Sequence, residues 1–246
     1  IPGKVSLWAA RFATRIAISF PESVKYFPSE KVALTGNPVR REVLGGNVEE
    51  ARDFFDLEPN VPVLLVLGGS QGARKLNDIF LDIVPELLGA FEVVHQTGRD
   101  NFKEVKMRSQ LILEKSTFAR RYHPYAFLDE GALRDISKAA TIVIARAGAG
   151  AIFELAAWSL PSILVPLPHA AQDHQRENAY AYAREGAAVV LEEENLAQHI
   201  LLSEIDKLLK NPQLREKMSK AAQAFSKIDA ADKIAGEIIK LALEHS

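Results

Sequence analysis

Residues 62–72 read PVLLVLGGSQG and give the clearest structural signal in the chain. The first six form a continuous apolar run, which is typical of a strand buried on both faces of a parallel sheet. The glycines indicate a tight turn, and the amphipathic pattern after them predicts a helix to about residue 88. A buried strand that leads through such a turn into a helix predicts a strand–helix–strand unit with parallel strands.

The same alternation extends in both directions from this unit. Further strands are predicted at 16–20, 32–35, 92–96, 122–127, 141–145, 162–165 and 188–191. Further helices are predicted at 4–15, 48–56, 101–109, 131–138, from 148–150 to just before 161, at 174–185, and two or three more to the end. This order predicts an α/β protein with a Rossmann-like, doubly wound parallel sheet. Residues 36–40, which include Gly-Asn-Pro, are the expected domain boundary.

Composition narrows the possible functions. The 246 residues carry a net charge of −2, so no overall positive field attracts nucleic acid, and none is expected as a partner. There are no cysteines, which excludes disulfides, cysteine-ligated zinc and a thiol nucleophile. No apolar run approaches the roughly 20 residues that span a bilayer. Because the chain opens Ile1-Pro2-Gly3 without a signal peptide, we expect a fragment or a processed chain.

The first glycine-rich loop, 68–72, has two competing interpretations. Its glycines and the helix N-terminus beyond them suit a phosphate, although a plain tight turn explains glycines equally well. The residues also match G-x-S-x-G, which would make Ser70 the nucleophile of a serine hydrolase. The early position of this strand and the absence of an upstream oxyanion segment weigh against that interpretation. Candidate bases would be His95, His123, His169 and His174.

Two later loops carry further candidates. Residues 146–151 read RAGAGA, a small-residue loop whose main-chain N–H groups suit a diphosphate. Glu154 then either accepts ribose hydroxyls or merely complements the helix dipole, and the residues alone favour neither. In the third loop, His169, Asp173 and His174 match no standard zinc spacing, so no metal is expected. Gln175 and Asn178 share a helix face and suit sugar hydroxyls.

Five motifs occur in one order: GNPVR at 36–40, GGSQGA at 68–73, HQTG at 95–98, RAGA at 146–149 with Glu154, and PLPHAA at 166–171 with the DHQ of 173–175 and Asn178. Together they strongly resemble the MurG family, the bacterial glycosyltransferases of family 28 that transfer GlcNAc from UDP-GlcNAc to lipid I. The resemblance runs from about Ala10 to the C-terminus. It implies the GT-B architecture of two Rossmann-like domains, of which this chain is the C-terminal, donor-binding one with a remnant of the other.

The resemblance also implies a domain division. Residues 1–36 are expected to be the tail of the N-terminal acceptor domain, 37–224 the UDP-sugar domain, and 225–246 a helix that packs back toward the N-terminal domain. The general base is expected from the absent N-terminal part, so we expect this chain alone to bind donor weakly and to be nearly inactive. Ala151 departs from the family, which often has Thr at that position beside the phosphates.

Site residues follow from the resemblance position by position. Arg40 and Ser70, with Gly69 beside it, would contact the nucleotide-sugar. Phe127 and Leu128 would pack on uracil, with the Leu128 main chain at the base edge. The diphosphate would lie on Ala149, Gly150, Ala151 and Ile152, and Glu154 would hold the ribose. His174 or Gln175, and Asn178, would face the GlcNAc hydroxyls.

The implied function is an inverting, metal- and cofactor-independent hexosyl transfer in peptidoglycan synthesis. Its partners are UDP-GlcNAc and lipid I, and its location is the cytoplasm, peripheral to the inner face of the bacterial cell membrane. The alternatives are another GT-B enzyme, such as a UDP-GlcNAc 2-epimerase or a glycolipid synthase, the donor-binding subunit of a split glycosyltransferase, and the serine hydrolase.

Overall fold

The main element of the fold is a parallel sheet of six strands. The computed structural model describes residues 2–69, 73–168 and 173–244. The strands of the sheet are β3 (Val63–Leu67), β4 (Glu92–Gln96), β5 (Tyr122–Tyr125), β6 (Ala140–Ala145), β7 (Ser162–Leu164) and β8 (Ala188–Val190). A separate pair of parallel strands, β1 (Ile16–Ile18) and β2 (Val32–Leu34), precedes it. The α/β prediction is therefore confirmed.

The strand order β5-β4-β3-β6-β7-β8 determines where a ligand can bind. From β3 the chain winds outward to β5 in one direction, returns to β6 beside β3, and winds outward to β8 in the other. The point of reversal lies between β3 and β6, which pair in register from Leu64 opposite Ile142 onward. In sheets of this kind, ligands bind outside the carboxyl ends of the strands at this reversal.

The helices of the described residues are α1 (Lys4–Ala9), α2 (Val48–Phe55), α3 (Arg74–Leu87), α4 (Phe102–Ile112), α5 (Glu130–Ala139), α6 (Ala149–Trp158), α7 (His174–Arg184), α8 (Gln198–Lys210), α9 (Pro212–Phe225) and α10 (Ala230–Glu244). Helices from α2 onward cover both faces of the sheet. Alternate strand residues enter different cores, because successive side chains of a strand point to opposite faces. Val63 and Leu65 join the core beneath α2, α5, α6 and α7, whereas Leu64 and Val66 join the one beneath α3, α4 and α8.

The N-terminal segment differs from its prediction. The helix expected over 4–15 ends at Ala9, because α1 contributes no buried residue and lacks the packing that stabilises a short helix. Trp8 of α1 and Phe12 just beyond it are 62% and 75% exposed, with their rings in an edge-to-face contact at 5.4 Å.

The segment is nevertheless attached to the larger sheet domain. Phe20 packs edge-to-face on Phe153 of α6, and both rings contact Phe225 at the end of α9. Arg15 pairs with Glu237 of α10 at 2.9 Å. The domain limits at 36/37 and 224/225 remain predictions.

Trp158 is buried at the end of α6. Its indole N–H donates to the Val43 carbonyl at 2.8 Å. Among the described residues, no helix is both long enough and apolar enough to cross a membrane.

Candidate functional site

The first turn of α6 is the centre of the candidate site. Gly148 is the N-cap residue in extended conformation, and no side chain caps the helix there. By helix geometry the N–H groups of Ala149, Gly150 and Ala151 have no acceptor within the helix, which leaves a positive dipole end at the carboxyl edge of the sheet. The Ile152 N–H already donates to the Gly148 carbonyl at 3.0 Å, and its side chain is in the core. An anion at this turn would therefore be bound by the three residues before Ile152.

The glycines of this loop are not required by the packing of the protein itself. A Cβ placed on Gly148 or Gly150 would meet no atom within 4 Å. Gly68, at the end of β3, differs: its Cβ would lie 3.1 Å from the Gln96 carbonyl oxygen, so its small size serves the fold. The open space above Gly148 and Gly150 lets a ligand approach the backbone closely.

Arg40 and Glu154 are in direct contact. The Nε and a terminal nitrogen of Arg40 donate to the two carboxylate oxygens of Glu154 at 2.8 and 3.2 Å. The other terminal nitrogen donates to Glu130 at 2.9 Å. The bonds to Glu154, and then to Glu130, hold the pKa of Arg40 above its ordinary value. Three of the five N–H donors of the guanidinium are thus in use, and two point elsewhere.

The start of α7 presents the residues expected to face a sugar. The Oε1 of Gln175 accepts from the Leu167 N–H at 3.0 Å, which fixes the side chain against the start of the loop after β7. Asn178 is buried, and its amide donates to the Ala147 carbonyl at 3.4 Å. The first turn of α7 is therefore hydrogen-bonded both to the loop after β6, through Asn178, and to the loop after β7, through Gln175.

The loop after β5 carries the residues expected at the base. Phe127 is 39% exposed, and the Arg99 guanidinium lies over its ring at 5.0 Å. Leu128 is buried, and its N–H donates to the Gln96 side chain at 2.9 Å. This leaves the Leu128 carbonyl as the main-chain group to consider at a base edge.

The HQTG motif, residues 95–98, holds neighbouring strand ends together. The Thr97 N–H donates to the Tyr125 carbonyl, and the Gly68 N–H to the Gln96 carbonyl, at 2.9 and 3.0 Å. Asn77 of α3, which the sequence analysis missed, donates from its amide to the Thr97 carbonyl at 2.9 Å. A polar residue on the buried face of an amphipathic helix was the signal that could have identified it.

His95 and His123, two of the candidate bases, each have partners away from the first glycine-rich loop. His95 is buried between Asn77 and Tyr122, and burial lowers its pKa to about 3. His123 pairs with the buried Glu92, the first residue of β4, at 2.7 Å. Both histidines are engaged in structural contacts. Ser70 and His169 lie outside the described residues, so the structure says nothing of their placement.

A cleft of about 670 Å³ separates the N-terminal segment from the carboxyl edge of the large sheet. The N-terminal segment lines one side, with Lys4 and Arg15 among its residues, and Ala149, His174 and Asn178 line the other. Two helix N-termini, those of α6 and α7, thus reach one cleft. Within the described ranges, no group of three or more acidic or histidine side chains could hold a metal ion.

Comparison with known proteins shows which family the sequence is similar to. The model of the glycosyltransferase family 28 C-terminal domain matches residues 63–234. The chain is 34% identical, over 95% of its length, to the UDP-N-acetylglucosamine–N-acetylmuramyl-(pentapeptide) pyrophosphoryl-undecaprenol N-acetylglucosamine transferase of Halalkalibacterium halodurans. It is 37% identical, over 95% of its length, to the protein of the same name from Thermoanaerobacter sp. (strain X514). The chain spans 63% of the length of each.

Solved structures agree on the fold. MurG of Acinetobacter baumannii superposes with a TM-score of 0.73 at 23% identity, over 98% of this chain and 64% of that one. The UDP-GlcNAc 2-epimerase of Neisseria meningitidis superposes with a TM-score of 0.65 at 13% identity, over 94% and 62%. The predicted doubly wound, GT-B-like C-terminal domain is confirmed.

Proposed function

The chain belongs to glycosyltransferase family 28, whose C-terminal domain it contains, and from that membership we propose that it binds UDP-GlcNAc as the donor half of a GlcNAc transferase. The acceptor proposed for the whole protein is the undecaprenyl-diphosphate-linked MurNAc-pentapeptide, as in the names of the relatives. The product would be the lipid-linked disaccharide of peptidoglycan synthesis.

One observation carries the proposal: Ala149, His174 and Asn178, all expected at the donor, line a single cleft at the carboxyl edge of the sheet. Ala149 begins α6, whereas His174 and Asn178 lie on α7, the next helix along the chain. The cleft also lies at the reversal of strand order, where doubly wound sheets bind nucleotides.

The diphosphate is proposed to lie on the first turn of α6. The unpaired N–H groups there and the open space above Gly148 and Gly150 suit a charged group that must approach the backbone closely. Two N–H donors of Arg40 remain for the diphosphate. Glu154, whose carboxylate accepts hydrogen bonds only, is proposed to accept those of the ribose hydroxyls.

The remaining parts of the donor are assigned to the flanking loops. Phe127 is proposed to pack on uracil, and the Leu128 carbonyl to accept from the uracil N3–H, because the Leu128 N–H is bound to Gln96. Gln175, with His174 and Asn178, is proposed to face the GlcNAc hydroxyls. Gly69, Ser70 and Ile152 stay predictions from the resemblance.

The proposed reaction is a direct displacement. An acceptor hydroxyl oxygen attacks the anomeric carbon of GlcNAc, the bond from that carbon to the diphosphate oxygen breaks, and UDP leaves with the electron pair. A general base outside the donor site takes the hydroxyl proton. The α6 dipole and Arg40 stabilise the charge that develops on UDP, which requires no metal in this scheme.

We propose that the whole protein is located in the cytoplasm, at the inner face of the cell membrane, where it would meet a lipid-linked acceptor.

Calorimetric titration of the chain with UDP-GlcNAc, UDP-glucose and UDP-GalNAc tests the proposal. We expect saturable binding that prefers UDP-GlcNAc. Glu154→Ala should weaken it by about 10- to 100-fold, the cost of losing hydrogen bonds to a charged group. The control is Glu216→Ala, which removes an exposed carboxylate paired with Lys220 on α9.

Binding that ignores the sugar, or that survives Glu154→Ala, would refute the assignment of the site. Conversion of UDP-GlcNAc to its C2 epimer, detected by NMR, would favour the epimerase alternative instead. Labelling of Ser70 by a fluorophosphonate probe would favour the hydrolase.

A further inference from the structure

Arg146 is the first residue after β6 and directly precedes the loop proposed to hold the diphosphate. An arginine in this position is the obvious candidate for a phosphate ligand. Its side chain is only 11% exposed, however, and its contacts lie toward β7 rather than at the first turn of α6. It needs a different role.

The contacts of Arg146 join three separate parts of the chain. One terminal nitrogen donates to the carbonyl oxygens of Val165 and Pro166, at 3.1 and 3.4 Å. The other forms an ion pair with Glu193, which is 10% exposed and lies in the short 3-10 turn Glu193–Asn195 after β8. A planar guanidinium can donate to two carbonyls through one nitrogen and pair with a carboxylate through another, which a lysine ammonium cannot do with the same geometry.

The segment that Arg146 holds leads directly to the sugar-facing helix. Val165 and Pro166 begin the loop after β7, and the next residue, Leu167, donates its N–H to Gln175 at 3.0 Å. Displacement of the two carbonyls would therefore displace the partner of Gln175. The neighbouring Glu192 secures α7 from the other side, because it accepts from Tyr180 and pairs with Arg176, both at 2.8 Å.

We propose that Arg146 and Glu193 are a positioning pair that fixes Leu167 and Gln175 for recognition of the sugar of the donor, and that Arg146 makes no contact with the diphosphate. This inference rests on the proposed function, since it assigns the sugar to Gln175. The pair acts through the loop and touches no reacting atom.

The consequence is a selective loss. Affinity for UDP depends on the α6 turn, Arg40, Glu154 and the base loop, none of which Arg146 holds directly. The additional affinity that GlcNAc contributes depends on Gln175. Disruption of the pair should therefore lower the affinity for UDP-GlcNAc and leave the affinity for UDP nearly unchanged.

The experiment compares UDP with UDP-GlcNAc by calorimetry on the full chain. The main variant is Arg146→Met/Glu193→Gln, which removes both charges together, because removal of either alone would leave a buried, unpaired charge. The control is Lys220→Met/Glu216→Gln, which neutralises a remote exposed pair on α9. We expect the main variant to bind UDP within about twofold of the wild type and UDP-GlcNAc about tenfold more weakly, the loss expected of one or two hydrogen bonds. The control should match the wild type for both.

Amide hydrogen exchange gives a second measurement that needs no ligand. In the main variant the Leu167 amide should exchange faster than in the wild type, while amides of α9 should not change. Unchanged exchange at Leu167, or unchanged affinity for UDP-GlcNAc, would overturn the positioning role. Equal loss of affinity for UDP and UDP-GlcNAc would overturn it too, and would make Arg146 a phosphate ligand. If the wild type bound neither nucleotide, the proposed function would fail. The exchange experiment would then still test whether Arg146 and Glu193 hold the loop at Leu167.

Discussion

His95 should make the stability of this protein strongly dependent on pH. The Asn77 amide nitrogen donates to the Thr97 carbonyl, so its oxygen is free to accept from the Nε2–H of His95 at 3.1 Å. The Nδ1 of His95 then accepts from the Tyr122 hydroxyl at 2.8 Å. This arrangement holds one neutral tautomer. A second ring proton, on Nδ1, would have to donate to the Tyr122 hydroxyl, which would then lose the acceptor of its own proton.

The size of the effect follows from the two pKa values. Burial lowers the pKa of His95 to about 3, whereas a histidine in the unfolded chain titrates near 6.5. Protons therefore bind the unfolded state preferentially between these values, so this contribution is present above pH 6.5 and is lost as the pH falls toward 3. Between pH 7 and pH 4 this one group should remove roughly 3 kcal/mol from the free energy of unfolding.

The comparison that isolates this effect is His95→Gln. A glutamine amide can donate to Asn77 and accept from Tyr122, but it does not titrate in this range. Urea unfolding at pH 7, 5 and 4 should show a loss of stability about 3 kcal/mol smaller in the variant than in the wild type. Carboxylates titrate in both proteins and cancel, including Glu58, whose pKa Arg121 and Arg120 lower to about 2.

His199→Gln, at an exposed position on α8, is the matched control and should keep the pH dependence of the wild type. Parallel stability curves for the wild type and His95→Gln would refute the reasoning, because they would mean that His95 binds its proton equally in both states.

Two further predictions concern Arg40 and the turn before it. Glu130→Gln should tighten UDP-GlcNAc binding about two- to fivefold, because a half-exposed ion pair contributes little and its loss frees a donor of Arg40 for the diphosphate. Calorimetry should show no such gain in an Arg40→Met background, and a gain there would place the effect elsewhere. Gly36→Ala should destabilise the protein more than Gly45→Ala in urea unfolding. Both glycines have positive φ, which costs other residues roughly 1–3 kcal/mol, but only at Gly36 would the Cβ also collide with Lys227, at 2.5 Å. Equal losses would show that Lys227 moves aside freely.

The strands were predictable from local pattern, because β3 and β6 are buried on both faces and show it as uninterrupted apolar runs. The positions of the loops between strand and helix were also predictable, because glycine and small residues directly after a strand are typical of a turn. The end of α1 was not. A sequence pattern for a helix says nothing about whether a core is present beneath it, and α1 has none in this chain.

The contacts within the site were beyond sequence reasoning for a different reason. Arg40 meets Glu130 and Glu154, which lie 90 and 114 residues away along the chain. Such pairs depend on which loops the strand order brings together. A propensity or a spacing cannot encode them, so Glu130 carried no signal of its own.

For Arg146, the sequence motif and the contacts in the structure indicate different roles. Its sequence neighbours are the small residues of the loop proposed to hold the diphosphate, and by residue type alone it would be assigned to the phosphate. Its guanidinium instead donates to two carbonyls and forms an ion pair with a carboxylate on the side toward β7 and β8. Because a buried arginine must satisfy its charge and donors wherever the fold provides acceptors, its role is decided by the next strands in the sheet and not by the motif in which it stands. A charged residue in a ligand-binding motif can therefore serve to build the site rather than to bind the ligand.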